Sequence, residues 1–327
     1  MNEKIALFGA GGKMGVRLSK NLLGSDFRVR HVEPGAAGRQ RLQEELGIQC
    51  VDVDTALAGV DVVILAIPDT LIGKVSHEIS PKLKPGTMVM TLDAAAPFAG
   101  HLPDRKDLTY FVAHPCHPTI FNDEIDPEAR KDHFGGSAAK QSITSALMQG
   151  PPEAFDLGEE VAKTIYAPIL RSYRLTVDQM AILEPGLSET VCATLLDVMR
   201  DAMEETVKRG VPEQCARDFL LGHMNILAAV IFKEIPGAFS DACNKAITFG
   251  KPRLMRDDWR GVFDRHEIAE SIRRITRQDL ARKIRWANES TPLIGWKPAM
   301  TQAGRPRSSP ASSRAAPLSR WRPRRRS

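Results

Sequence analysis

The sequence predicts an α/β fold: a Rossmann-type, doubly wound parallel sheet followed by an all-α helical domain. Three observations carry this. Strand and helix patterns alternate through roughly the first 115 residues, the rhythm of βαβ units. A glycine-rich turn joins the first strand to the first helix. From about Val177 the apolar spacing changes to a period near 3.6 residues.

The elements follow in order. Lys4–Gly9 reads as a buried strand and Met14–Leu23 as the helix after it. Arg28–Glu33 is a second strand and Ala37–Leu46 a second helix. Asp61–Ile67 (DVVILAI) is a continuous apolar run, as expected for a strand covered on both faces. Thr87–Leu92 and Leu108–Ala113 supply two more strands. His117–Gly136 is then polar and turn-rich, a long loop of the kind that covers sites. Ser142–Met148 and Arg171–Thr176 add strands around a helix near Glu153–Pro168. Glu189–Lys208, Pro212–Phe232, Asp241–Phe249 and His266–Ile275 follow as helices. This gives a nucleotide-binding domain over residues 1–176 with a strand extension, a helical substrate and dimerisation domain over 177–280, and a tail over 281–327.

Charge separates that tail from the body. Residues 281–327 hold 12 Lys/Arg and one acid, so the other 280 residues carry 33 bases and 39 acids. The basic balance therefore belongs to the tail, which is expected to be disordered, and the body gives no sign of a nucleic-acid partner. The tail is either a tethering arm or a terminus irrelevant to activity. Apolar runs such as 62–68 fall far short of the ~20 residues that cross a bilayer, and no membrane role is expected. No signal-peptide layout opens the chain, and five scattered cysteines form no Cys-x-x-Cys pair. A reducing, cytoplasmic setting is expected.

Gly9-Ala10-Gly11-Gly12-Lys13-Met14-Gly15 lies between the first strand and helix. Gly9 permits the tight turn and Gly11 the close approach of a pyrophosphate. The amides of Gly12, Lys13 and Met14 face the anion at the helix N-terminus. Glu33 ends the second strand, 24 residues after Gly9, where a carboxylate accepts from ribose hydroxyls and repels a 2′-phosphate. NAD is thus the expected cofactor, with Arg39 and Arg41 facing solvent. Pro68 and Asp69 close a strand at the carboxyl edge, where Asp69 either lines the nicotinamide-side ribose or caps a helix starting at Thr70. Leu92-Asp93-Ala94-Ala95-Ala96-Pro97 ends the next strand with small residues that admit nicotinamide or substrate.

His114-Pro115-Cys116-His117-Pro118 is the most unusual stretch. Two imidazoles at this edge suit general-base work, metal ligation or structural hydrogen bonding. Cys116 reads as buried packing. Glu184-Pro185-Gly186-Leu187-Ser188-Glu189-Thr190 opens the long helix, and Glu184 and Glu189 are candidate carboxylates unless Ser188 or Glu189 merely caps. His223 and Asn225 sit in an apolar helix, where a satisfied core histidine is the commoner role.

Together the glycine turn, Ala66-Ile67-Pro68-Asp69, Thr91-Leu92-Asp93, the histidine–proline stretch and Leu183-Glu184-Pro185 resemble the D-apionate oxidoisomerase family, over residues 4–275. That family carries a phosphogluconate-dehydrogenase-type C-terminal domain. The catalytic lysine of phosphogluconate dehydrogenases has no counterpart in Ser188–Met199. The resemblance implies NAD-dependent oxidation of a branched aldonic acid and rearrangement of its skeleton to 3-oxo-isoapionate. Such a rearrangement needs a Lewis acid across the substrate oxygens or equivalent hydrogen-bond donors. His114 and Glu184, flanking one cleft, are the expected ligands of a divalent metal, zinc or magnesium, with His117 as the expected base and Glu189 as a further catalytic carboxylate. A plain hydroxy-acid dehydrogenase and a non-catalytic NAD(H) sensor are the competing readings. A homodimer is expected from apolar helices such as Pro212–Phe232.

Overall fold

A computed structural model describes residues 3–276. The basic tail expected over residues 281–327 lies outside the described residues. The core is a seven-stranded sheet in the order β2-β1-β3-β4-β5-β6-β7. Its strands are β1 (Lys4–Phe8), β2 (Arg28–Val32), β3 (Val62–Leu65), β4 (Met88–Thr91), β5 (Thr109–Pro115), β6 (Gln141–Gln149) and β7 (Ile169–Arg174).

Alternation along each strand divides the apolar residues between two faces. Ile5, Leu7, Val62, Ile64, Met88 and Met90 join one buried cluster. It is covered by α1 (Lys13–Leu23) through Leu18 and Leu22, by α2 (Ala36–Leu46) through Leu42, and by α7 (Ala154–Ile165) through Phe155 and Val161. Ala6, Phe8, Val63, Leu65 and Val89 form the other, under α3 (Val53–Leu57) and α4 (Asp69–Ile79). Helices on both faces explain why Asp61–Ile67 reads as one unbroken apolar run, although only Val62–Leu65 pairs as strand.

Two strands, β6 and β7, run against the expected parallel direction of β1 to β5. β6 runs antiparallel to β5, and β7 runs parallel to β6. The segment 116–140 therefore leaves and re-enters the sheet at one edge. A short helix, α5 (Ala95–Phe98), follows β4, and α6 (Pro127–Lys131) lies within the loop. Asp132 organises the end of that loop by accepting from the amides of Gly135, Ser137, Ala138 and Ala139.

After β7 the described chain is helical. The hydroxyl of Thr176 accepts from the amide of Gln179 and the side chain of Gln179 accepts from the amide of Thr176, so α8 (Val177–Ala181) starts on a capping box. A wide-turned helix, Ile182–Ala193, follows and is broken at Glu184, whose φ of −134° and ψ of 105° are extended. Pro185 disfavours helical geometry at the residue before it. The Glu184–Thr190 stretch therefore does not open the long helix, as its sequence suggests; it is a break within a helical stack. α9 (Thr194–Lys208), α10 (Glu213–Ile231), α11 (Asp241–Leu254) and α12 (Arg265–Thr276) complete the chain described. α11 runs past Phe249 because Pro252 is accommodated inside it.

α12 packs Ile268 and Ile272 against Ala95 and Ala181. By contrast, α9 and α11 bury no residue, and α10 buries only Ala216. His223 is correspondingly exposed, its ring stacked on Phe219 at 4.0 Å, so it is no core histidine. Asn225 beside it is exposed too. Among the described residues, no helix is long and apolar enough to cross a membrane.

Candidate active site

The carboxyl ends of β1 to β5 bring the candidate residues to one edge. At the β1–β2 end, Gly9 has φ +75°, and a Cβ there would lie 2.2 Å from the Ala66 carbonyl oxygen. Only glycine makes that turn. A Cβ on Gly11 would lie 2.5 Å from the Cα of Gly38, so the turn and the start of α2 touch backbone to backbone. Gly12 precedes α1 without a side-chain cap, and the first turn, including Lys13 and Met14, holds no acid. The Gly12 amide, expected to face the anion, instead donates to the Gly9 carbonyl at 3.1 Å and closes the turn, so it is the amides of Lys13 and Met14 that are left for an anion. Glu33 faces the same turn: the Gly11 amide donates to Oε2 at 2.9 Å and the Gly35 amide to Oε1 at 2.8 Å. Each carboxylate oxygen keeps a further acceptor position for a ribose hydroxyl. Arg39 and Arg41 are exposed; Arg41 donates to the Gly11 carbonyl at 2.6 Å and so fastens the loop.

At the β3–β5 end the chemistry changes. Pro68 is exposed and stands just before α4, whose first residue is Asp69. Asp69 is therefore no cap. Burial and the nearby Asp93 push its carboxyl up to about 6. Thr91 fastens the Asp93 carbonyl through its hydroxyl, and the Asp93 carboxylate accepts from the Ala95 amide at 2.6 Å. Burial still holds Asp93 above the usual carboxylate range.

His114, on the last turn of β5, has Nδ1 at 2.7 Å from the Leu92 carbonyl. A carbonyl only accepts, so Nδ1 carries the proton and Nε2 keeps its lone pair. Nε2 lies 3.8 Å from Glu184 Oε2, and Nδ1 lies 3.8 Å from Asp93 Oδ2. Asp93, His114 and Glu184 offer ligand atoms all within 4.8 Å of one another. Ser188 donates to Glu184 Oε2. It tethers that carboxylate rather than capping a helix. The carboxyl of Glu189 lies against Glu184, although most of the residue is exposed; desolvation, then Glu184, Asp93 and Asp69, push it up to about 7.

His117 occupies left-handed backbone space, with φ 60°. Its Nδ1 donates to the Phe134 carbonyl at 2.8 Å, again leaving Nε2 free. Its ring stands edge-on to that of His114, 6.3 Å between centroids. A cavity of about 320 Å³ is lined by His114, His117, Thr144, Glu184, Leu187 and Ser188 among others, without Lys or Arg. Cys116 also lines it and is exposed rather than buried packing, while desolvation pushes its thiol up.

Of the expected site residues, His114, His117, Glu184 and Glu189 converge here, while Gly9, Gly11, Gly12, Lys13, Met14 and Glu33 gather at the other end. The residue that sequence reasoning missed is Asp93, which reads as one more small strand-ending residue. Its only sequence signal is a carboxylate directly after a strand at the carboxyl edge, flanked by alanines. The donor set fits a divalent cation: two carboxylates and an imidazole whose other nitrogen is hydrogen-bonded, in a cluster of acids without a lining cation.

Residues 4–95 match the family described as NADP oxidoreductase coenzyme F420-dependent, and residues 122–276 match phosphogluconate dehydrogenase (decarboxylating) C-term. A D-apionate oxidoisomerase of Cupriavidus necator is 80% identical over 84% of this chain and 100% of its own length. One from Rhizobium rhizogenes is 71% identical over 83% of this chain and 99% of its own. The crystal structure of a semialdehyde dehydrogenase NAD-binding protein from Cupriavidus necator, in complex with calcium and NAD, superposes with a TM-score of 0.83. It is 80% identical, over 84% of this chain and 100% of that one.

Proposed function

The chain belongs to the D-apionate oxidoisomerase family, and on that premise we propose that it oxidises D-apionate with NAD and rearranges the carbon skeleton to 3-oxo-isoapionate. The observation that carries this reading is the Asp93–His114–Glu184 cluster, opening onto a cavity at the edge where the glycine turn lies. One neighbouring structure, 80% identical, is described as a complex with calcium and NAD, which supports a nucleotide and a divalent cation in this family.

When bound, NAD would supply the hydride acceptor for C2, and a divalent cation, which Asp93, His114 and Glu184 would hold, would supply Lewis-acid polarisation of the substrate oxygens. The protein's own groups do the rest. His117 Nε2 takes the proton of the C2 hydroxyl as C2 becomes a ketone. The C3 hydroxyl then loses its proton and C3 becomes the new ketone. As it does so, the bond from C3 to its hydroxymethyl carbon breaks and that carbon bonds to C2. The C2 oxygen recovers a proton, for which Glu189 stands beside the cluster. Net, one hydride and one proton leave the substrate. The imidazole ligand favours a transition metal or zinc over calcium, which prefers an all-oxygen shell.

The helices suggest the assembly. Phe219 and Phe232 on and after α10 are 67% and 69% exposed, and Phe249 on α11 is 62% exposed. An apolar helix exposed on most sides needs a partner, and a second copy of this chain, giving a homodimer, is the reading we adopt. The five cysteines, free in the structure, suit a reducing cytoplasm.

The test is incubation with NAD and D-apionate, following NADH absorbance and the carbon skeleton by NMR. NADH with a rearranged skeleton is expected. NADH with an unrearranged 2-oxo acid would make the protein a plain dehydrogenase, and NADH binding without turnover on any aldonic acid would leave it a sensor.

A further inference from the structure

Phe134 lies in the long loop, outside the acid cluster and the glycine turn, and touches His117 and the α1 residue Arg17. Its backbone carbonyl accepts from His117 Nδ1 at 2.8 Å. Its ring stands edge-on to the His117 imidazole at 5.2 Å between centroids. The guanidinium of Arg17, on α1, sits 4.5 Å from the same ring centroid. Arg17 also reaches back to the carbonyl of Lys13 at 3.5 Å, in the first turn of that helix. One turn further along α1, Asn21 donates to the Gly136 carbonyl at 3.2 Å. The turn containing Phe134 is thus anchored twice on the helix that presents its amides to the cofactor, and clamped internally by Asp132.

We propose that Phe134 is a positioning residue for the reaction: sandwiched between Arg17 and His117, it sets the imidazole of His117 from helix α1. The proposal rests on His117 being the base. Two facts make positioning necessary. His117 is a non-glycine residue in left-handed backbone space, a conformation that local chain preference does not hold. It also follows two residues after a strand end, at the start of a long loop, where neither sheet nor helix fixes its side chain. The carbonyl of Phe134 fixes which ring nitrogen carries the proton; the aromatic ring and Arg17 fix where the other points. An aromatic edge contact and a cation over its face suit that task, because both are directional and need no further polar partner. A displacement of about 1 Å at a reacting group costs up to ~100-fold in rate.

The experiment is a double-mutant cycle on the full-length enzyme with saturating NAD: Phe134→Ala, His117→Ala and the pair. Each is read as kcat and KM for D-apionate, with NADH affinity and Tm alongside. Phe134 is 46% exposed, so truncation leaves the fold and Tm in place. The expected result is that Phe134→Ala lowers kcat about tenfold, with NADH affinity unchanged, and has no further effect once His117 is alanine. Phe134→Tyr, which keeps the ring, restores kcat. A multiplicative loss in the double mutant, or an unchanged kcat in Phe134→Ala while His117→Ala is impaired, overturns the positioning role and leaves the base intact. Unchanged turnover in His117→Ala overturns both.

Discussion

At the β1–β2 end of the sheet's carboxyl edge one carboxylate, Glu33, is held by the amides of Gly11 and Gly35. At the β3–β5 end Asp69, Asp93, Glu184 and Glu189 crowd together with no basic residue lining the cavity they adjoin. The first end is built from consecutive elements of one βαβ unit and satisfies its own charge with its own backbone. The second is assembled from three strands' ends and a break in the helical stack, and its negative charge is compensated only in part. On the function proposed above, the difference separates a surface that receives a nucleotide from one that receives positive charge and does chemistry.

The largest effect should come from the second end. Glu184→Gln or His114→Ala is expected to lower turnover ~10³-fold or more, with NADH affinity within a factor of about two by fluorescence titration. Equal losses of both would erase the division. Next comes the turn itself. Gly9→Ala places a methyl 2.2 Å from a backbone oxygen at a left-handed φ. The conformational term alone costs about 1–2 kcal/mol, so thermal unfolding should show a clear drop together with lost NADH binding. Glu33→Gln keeps the shape but removes the charge that repels a 2′-phosphate. A shift of the NADH-over-NADPH preference by roughly tenfold toward NADPH is expected, with the metal affinity untouched.

Much of this comparison is legible in the sequence, and the illegible parts have definite causes. The glycine turn, Glu33 and the sheet are local patterns whose spacing is fixed by one βαβ unit. His114 and His117 stand out because two prolines bracket them. Asp93 does not, since it stands among alanines that read as small residues ending a strand, and its carboxylate accepts locally from the Ala95 amide. The direction of β6 is invisible because an alternating strand pattern reads the same both ways. Glu184 was findable as a carboxylate. Its place in a break was not: a proline in a helical run usually signals the start of a helix, and here the helix precedes it.

The smallest predicted effects concern pH and have opposite signs at the two ends. His31 on β2 is buried, and desolvation lowers its pKa from 6.5 to about 4. Its folded value lies below the unfolded one, so its contribution to stability is present above about pH 6.5 and lost as pH falls toward 4. Asp69 and Glu189 are raised, from 3.8 to about 6 and from 4.5 to about 7. Their contribution is full below about pH 4 and is lost as pH rises through 6 and 7. In chelator-treated protein, Asp69→Asn should therefore flatten the alkaline side of the Tm profile and His31→Leu the acid side. A divalent cation on Asp93, His114 and Glu184 should raise Tm more at pH 7 than at pH 5, because it competes with the proton that burial favours on Asp93.

The reversal of β6 against β5 has a consequence for how such a protein changes over time. Because the segment 116–140 departs from and returns to the same edge, its length is not constrained by any crossover. The entropy of closing a loop grows only slowly with added residues. Insertions, deletions and exchanges between His117 and the Phe134 turn, over residues 118–131, can reshape the adjoining surface lined by Thr119, Phe121 and Glu124 while strand register, glycine turn, acid cluster, His117 and Phe134 stay as they are. That stretch is in effect an exchangeable cassette, and grafting it between relatives, with His117 and Phe134 kept, is a direct route to new sugar-acid preferences on an unchanged catalytic frame.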